Sequence, residues 1–196
     1  MLDKSNLPKE LCKVHKLTPE SCDIVAFRRL NNIKINIYEF VNAGNNLYIH
    51  SDICGNGKTT FATKILQSYF NETWELTCHQ IRGLYINVPM FLYKLREVIS
   101  NKDDDFSALK ANLFKADLVV WDDIAATSMK DFDYLTLLAC IDDRIANGLS
   151  NIYTGNLNKL RMKAVVGDKL TSRIYNNSEV IELKGMDRRG CEDGRN

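Results

Sequence analysis

The run Ser51-Asp52-Ile53-Cys54-Gly55-Asn56-Gly57-Lys58-Thr59-Thr60 sets glycines beside a lysine and two hydroxyls. Those types at that spacing can cradle a phosphate. Glycine lets the backbone wrap an anion with its N–H groups, and a helix N-terminus behind it adds positive partial charge. Lys58 would reach the β- and γ-phosphates of a nucleotide, and the Thr59 hydroxyl would ligate Mg²⁺. Gly55, Asn56, Gly57, Lys58, Thr59 and Thr60 are the expected nucleotide-binding residues. In the pattern G-x-x-x-x-G-K-[ST] the first glycine falls on Asp52, while the second half is intact. A glycine-rich turn before a helix would have the same local sequence.

The second chemical signal is Leu118-Val119-Val120-Trp121-Asp122-Asp123, an apolar run ending in two carboxylates. Asp122 would bind the metal with Thr59, and Asp123 would orient and deprotonate an attacking water. Alone, the pair would equally well end a strand and open a turn. Asn156, in Tyr153-Thr154-Gly155-Asn156, could hydrogen-bond the water or the γ-phosphate, or simply occupy a turn. Arg173, in Leu170-Thr171-Ser172-Arg173-Ile174, should face away from the core if Leu170 and Ile174 face it. A guanidinium at a subunit boundary can stabilise charge developing on phosphate; on an ordinary surface it does little.

These residues need a frame. The 196-residue chain suits one domain, and 45% hydrophobic with 26% charged residues excludes a wholly disordered or low-complexity chain. A net charge of +1 excludes a global basic field, so nucleic acid would need a local patch. No apolar run reaches a membrane span and the N-terminus lacks a signal-peptide core, which predicts a cytoplasmic protein with its cysteines reduced. Short strand-like runs at 47–50, 83–87, 118–121, 151–154 and 179–183 alternate with helical patterns at 23–40, 59–70, 90–99 and 131–146. That alternation predicts an α/β fold, a parallel sheet with helices on both faces. Residues 1–23 are expected to form a leader, 24–185 the α/β domain, an ATPase domain if the glycine-rich loop binds ATP, and 186–196 a polar tail that frays.

Together, the stretches 47–50, 55–60, 85–89, 117–123, 153–156, 170–174, 180–183 and 187–189 resemble the AAA+ core of the DnaC/DnaI-type replicative helicase loaders, with IstB-type transposition ATPases as relatives. The resemblance covers about residues 24–189. It implies an AAA+/ASCE P-loop NTPase with a five-stranded parallel sheet of order 5-1-4-3-2; the few residues after 183 are expected to leave no room for the C-terminal helical lid of larger AAA+ proteins. It implies ATP and Mg²⁺ as ligands, Asn156 as the sensor asparagine and Arg173 as an arginine finger acting on a neighbour's ATP. Arg188 or Arg189 falls near the family's terminal arginine. The chain departs from the family at Asp52, at Gly155 where the loaders often carry serine, and at Asp123 where many AAA+ proteins carry glutamate. Its brevity resembles a phage or mobile-element loader.

The resemblance further implies an ATP-dependent oligomer, a hexameric replicative helicase as partner, and single-stranded DNA. Lys94, Arg96, Lys159, Arg161 and Lys163 are the candidates for following a DNA backbone, with Tyr93 able to stack a base. Leu2, Leu7, Leu11, Val14 and Leu17 could form a short partner-binding helix. Cys12, His15 and Cys22 offer three soft ligands, one short of a structural zinc site. Two other functions compete. A transposition helper would coat duplex DNA; a scaffold would bind nucleotide and hydrolyse it weakly or not at all.

Overall fold

Successive residues of each inner strand point into opposite cores, which is why the apolar runs are continuous. In the computed structural model, residues 5–12, 18–74, 82–98, 104–126 and 129–188 are described. Strand β1 (Asn46–His50) sends Leu47 and Ile49 to one face and Tyr48 to the other. In β3 (Leu118–Asp122), Leu118 and Val120 take the first face and Val119 and Trp121 the second. The same alternation runs through β2 (Gly83–Asn87), β4 (Ser150–Gly155) and β5 (Ser178–Glu182).

All neighbouring strands are parallel, in the order β2-β3-β4-β1-β5. Read from the other edge, this is the expected 5-1-4-3-2. Helices α1 (Ile24–Ile35), α2 (Ile37–Asn42) and α3 (Lys58–Thr73) cover the first face. Helices α4 (Val88–Val98), α5 (Asp104–Leu113), α6 (Asp131–Ala146) and α7 (Lys159–Asn176) cover the second. No helix follows β5 among the described residues, and none of the helices described is long and apolar enough to cross a membrane.

Two helices differ from the expected pattern. The single helix expected over 23–40 breaks at Asn36 (φ −106°, ψ 36°), whose Nδ2 donates to Asn32 O at 2.9 Å and to Asn32 Oδ1 at 3.1 Å. A short amide side chain that bonds the backbone locally competes with helix continuation. Helix α7, absent from the expected helical patterns, is bent at Gly167 (φ 74°), and residues 168–174 lie in its second half. Asn158 caps its start, Oδ1 accepting from Arg161 N at 3.0 Å.

The β2 edge of the sheet and the segment after β5 are both tied to residues that precede α1. At β2, Tyr85 N donates to Ser5 O at 2.8 Å, and Asn6 Nδ2 donates to Tyr85 O at 2.9 Å. Leu7 is buried against α3, and Gln67 Nε2 donates to Leu11 O at 3.1 Å. This contact covers an edge that would otherwise offer unpaired backbone groups. Beyond β5, Asp23 Oδ1 and Oδ2 accept the N–H groups of Lys184 and Gly185 at 2.7 and 2.9 Å. The Arg188 Nη1 donates to Thr18 O at 2.6 Å. Residues 184–188 are thus held to residues 18–23; Arg189 lies outside the described residues. Before α1 the described residues form 3-10 turns at Lys9–Cys12 and Ser21–Asp23; Leu2, Val14, His15 and Leu17 lie outside the described residues.

Candidate functional site

The loop between β1 and α3 is shaped by glycine. Gly55 (φ 75°) and Gly57 (φ 104°) occupy left-handed conformations that side chains disfavour. Asp52 does not have positive φ, so the first position of the loop has no need of glycine here. Its exposed carboxylate lies 3.3 Å from Arg161 Nη1. Ser51 Oγ accepts Ile53 N at 3.0 Å and Asn56 Nδ2 at 2.6 Å, and Asn56 Nδ2 also reaches Leu183 O at 3.2 Å. The Asn56 side chain is fully buried, bracing the loop from within. Lys58 is 8% exposed, its Nζ donating to Ile53 O at 2.8 Å and to Asn56 Oδ1 at 3.4 Å.

Facing this loop is the end of β3. Asp122 is 5% exposed, and a carboxylate so far out of water needs hydrogen-bond donors. It has three hydroxyls. Thr59 and Thr154 each donate to Oδ1 at 2.7 Å, and Tyr85 donates to Oδ2 at 2.6 Å. Burial and the adjoining carboxylate push the Tyr85 phenol well above its ordinary pKa, so it stays a donor. Asp123 turns sharply from the strand at φ 62°, a conformation Asp tolerates better than most residues. Its N–H donates to Thr154 Oγ1 at 3.0 Å.

A cleft of about 510 Å³ opens here, lined by Gly55, Gly57, Lys58, Thr59, Thr60, Asp122, Asp123, Thr154 and Asn156, together with Cys54. Asn156 Oδ1 is buried with no hydrogen-bond partner among the described residues. An acceptor without a donor at the wall of a polar cleft calls for a bound group. Loop N–H groups, a lysine, a threonine hydroxyl and carboxylates form a donor set that fits a nucleotide triphosphate with Mg²⁺. Gly155 is explained by packing: a Cβ there would stand 2.8 Å from the Tyr48 hydroxyl, which donates to Leu157 O at 2.7 Å.

The remaining expected residues lie elsewhere. Arg173 is exposed near the end of α7, bonded to Asp142 of α6, and does not line the cleft. Arg96 is bonded to the buried Asp133, joining α4 to α6. Lys163 pairs with Asp168 at 2.9 Å, and Lys159 donates to Asn176 Oδ1 at 3.2 Å while resting over Tyr175. Lys94 and Tyr93 are exposed on α4. Tyr85 and Thr154, which hold Asp122, were not singled out by sequence. Their only signal is position, on the strands flanking β3 and facing the helix that carries Thr59.

No protein-family model matches the chain, and no curated protein matches it in sequence. Solved structures do match in shape. A DnaC helicase loader superposes with TM-score 0.72 at 19% identity, covering 89% of this chain and 96% of that one. A DnaI structure gives TM-score 0.70 at 18% identity, covering 91% and 95%. The replication initiator DnaA, bound to AMPPCP and single-stranded DNA, gives 0.65 at 17% identity over 85% of this chain; the match spans 48%, about half, of that longer protein. With its all-parallel sheet order and the glycine-lysine-threonine loop after β1, the chain has the fold seen in the DnaC and DnaI structures.

Proposed function

We propose that this chain is an ATP-binding and ATP-hydrolysing helicase loader that delivers or opens a hexameric replicative helicase on single-stranded DNA in the cytoplasm during replication initiation. The observation that carries the reading is the convergence of Lys58, Thr59, Asp122, Asp123 and Asn156 on one cleft at the start of α3. Likeness over nearly the full length of a DnaC helicase loader supports the loader role. The DnaA structure with AMPPCP and single-stranded DNA supports the choice of ligands.

In this reading the backbone around Gly55–Thr60 wraps the phosphates, and Lys58 gives up Ile53 O to reach them. Thr59 and Asp122 would hold Mg²⁺, which neutralises charge on the β- and γ-oxygens. Asp123 takes the proton of the attacking water, and the free Asn156 Oδ1 accepts its other hydrogen. Arg173 of a neighbouring copy completes the site in an ATP-dependent oligomer. Lys94, Arg96, Lys159, Arg161 and Lys163 remain the DNA candidates, several of them exchanging an ion pair for a phosphate.

A nucleotide-gated scaffold is the second reading. Two observations favour it: Asp123 is a methylene shorter than glutamate and held at positive φ, and Asp52 places a negative charge on the phosphate loop. The test is ATP turnover with and without single-stranded DNA, alongside mass in solution with AMPPCP. The loader reading expects turnover and nucleotide-driven assembly. Tight binding without turnover favours the scaffold, a footprint on duplex DNA favours a transposition helper, and absence of nucleotide binding overturns all three.

A further inference from the structure

Asp122 is held at both oxygens, Oδ1 from α3 and β4 and Oδ2 from β2. Thr59 and Thr154 share Oδ1, leaving Tyr85 as the hydroxyl on Oδ2. Once Thr59 turns to a metal, Thr154 and Tyr85 would remain, one per oxygen. Without the phenol the carboxylate is anchored at one end, and the terminal torsion of an aspartate is broad enough for it to swing. Tyr85 is itself unusually placed. It sits in the edge strand β2, yet its backbone is fixed on the outer side, its N–H donating to Ser5 O at 2.8 Å and its carbonyl accepting from Asn6 Nδ2 at 2.9 Å. A continuous chain of hydrogen bonds therefore runs from residues 5–6, through one tyrosine, to the carboxylate at the cleft.

We propose that Tyr85 is a positioning residue for the metal-binding carboxylate Asp122, and that the leader residues Ser5 and Asn6 set where its phenol stands. The inference rests on the nucleotide-site reading above. Its consequence is regulatory: a partner that lifts residues 5–6 from β2 frees the backbone of Tyr85 and loosens the metal site without touching the cleft. Outer-shell hydrogen bonds of this kind typically govern metal affinity by roughly 10–100-fold.

The test measures Mn²⁺ binding by electron paramagnetic resonance to full-length protein with AMPPCP, and AMPPCP binding in EDTA. Tyr85→Phe keeps the ring and removes the hydroxyl. It should weaken Mn²⁺ binding roughly 10-fold while AMPPCP binding in EDTA stays as in the wild type. Asn6→Ala should weaken Mn²⁺ binding in the same direction, and the double variant should be no worse than Tyr85→Phe, because both act through one hydroxyl. Unchanged Mn²⁺ affinity in Tyr85→Phe, with or without a lower melting temperature, overturns the positioning role. Full additivity in the double variant overturns the leader's part in it. Wild-type protein that binds no AMPPCP under any condition overturns both the nucleotide reading and this inference, whereas normal AMPPCP binding with a silent Tyr85→Phe overturns the inference alone.

Discussion

Thr59 and Asp122 meet across 63 residues of sequence, the threonine hydroxyl donating to Oδ1 at 2.7 Å. This contact joins the start of α3 to the end of β3, so the glycine-rich loop and the carboxylate are tied to each other. The carboxylate is buried and the half-buried hydroxyl is already aimed at it, the kind of preorganisation that the proposed phosphoryl transfer would need.

Lys58 tests the loop. Its ammonium is held by Ile53 O and the Asn56 amide, neither of which the fold needs a charge to satisfy. Lys58→Ala should lower ATP affinity by roughly 100-fold, the loss of one or two charge-assisted hydrogen bonds. Titration with a fluorescent ATP analogue measures this, and an unchanged circular dichroism spectrum shows the fold retained. Undiminished affinity would remove Lys58 from the site.

Asp123 tests the chemistry. Asp123→Asn keeps size and backbone preference but cannot take a proton. ATP binding should persist and turnover should fall roughly 10²-fold or more. Equal turnover in single-turnover assays would assign the base elsewhere.

Arg173 tests sharing between subunits. It is bonded to Asp142 rather than to the cleft of its own chain. Arg173→Ala should bind ATP normally and lose turnover by about 10³-fold. Mixing it with Lys58→Ala protein should restore part of the activity, since mixed neighbours supply one intact site. No recovery at any ratio argues for a site complete within one chain.

Arg144 tests the scaffold under β3 and β4. The fully buried guanidinium donates to Leu113 O, Ala116 O, Ser150 O and Asn151 Oδ1 at 2.6–2.8 Å. Asn151 Oδ1 also accepts from Trp121 Nε1 at 3.0 Å. Arg144→Met fills the space but strands these acceptors, and should cost about 3 kcal/mol or more in urea unfolding. A loss under about 1 kcal/mol would mean that water replaces the guanidinium.

Acid should weaken the α4–α6 contact. The Arg96 guanidinium holds the Asp133 pKa below its ordinary value, against the opposing effect of burial. With the folded-state pKa depressed, the stabilisation is fully present above pH about 4 and is lost as pH falls through the folded value. The melting temperature of wild type should exceed that of Asp133→Asn at pH 7, and the gap should narrow toward pH 3. Parallel curves would show that the pair contributes nothing through its charge.

Much of this fold can be read from local sequence. Strand positions, the span of α6, the parallel arrangement and the glycine-lysine-threonine run all follow from periodicities or motifs within a few residues, because alternation and helical spacing are properties of neighbours. Asp122 and Asp123 are legible as the polar end of an apolar strand.

Other features belong to the tertiary structure. The inward turn of Asn56, the Tyr85 and Thr154 hydroxyls on Asp122, and the buried Arg144 cluster depend on groups brought together from distant parts of the chain. So does the docking of residues 5–7 on β2. A hydrogen bond between such residues leaves no periodic trace, and desolvation, which makes each of these bonds matter, exists only once the chain has folded. The residue types at the cleft are thus written locally, while their orientation is decided by which buried polar groups had to find one another.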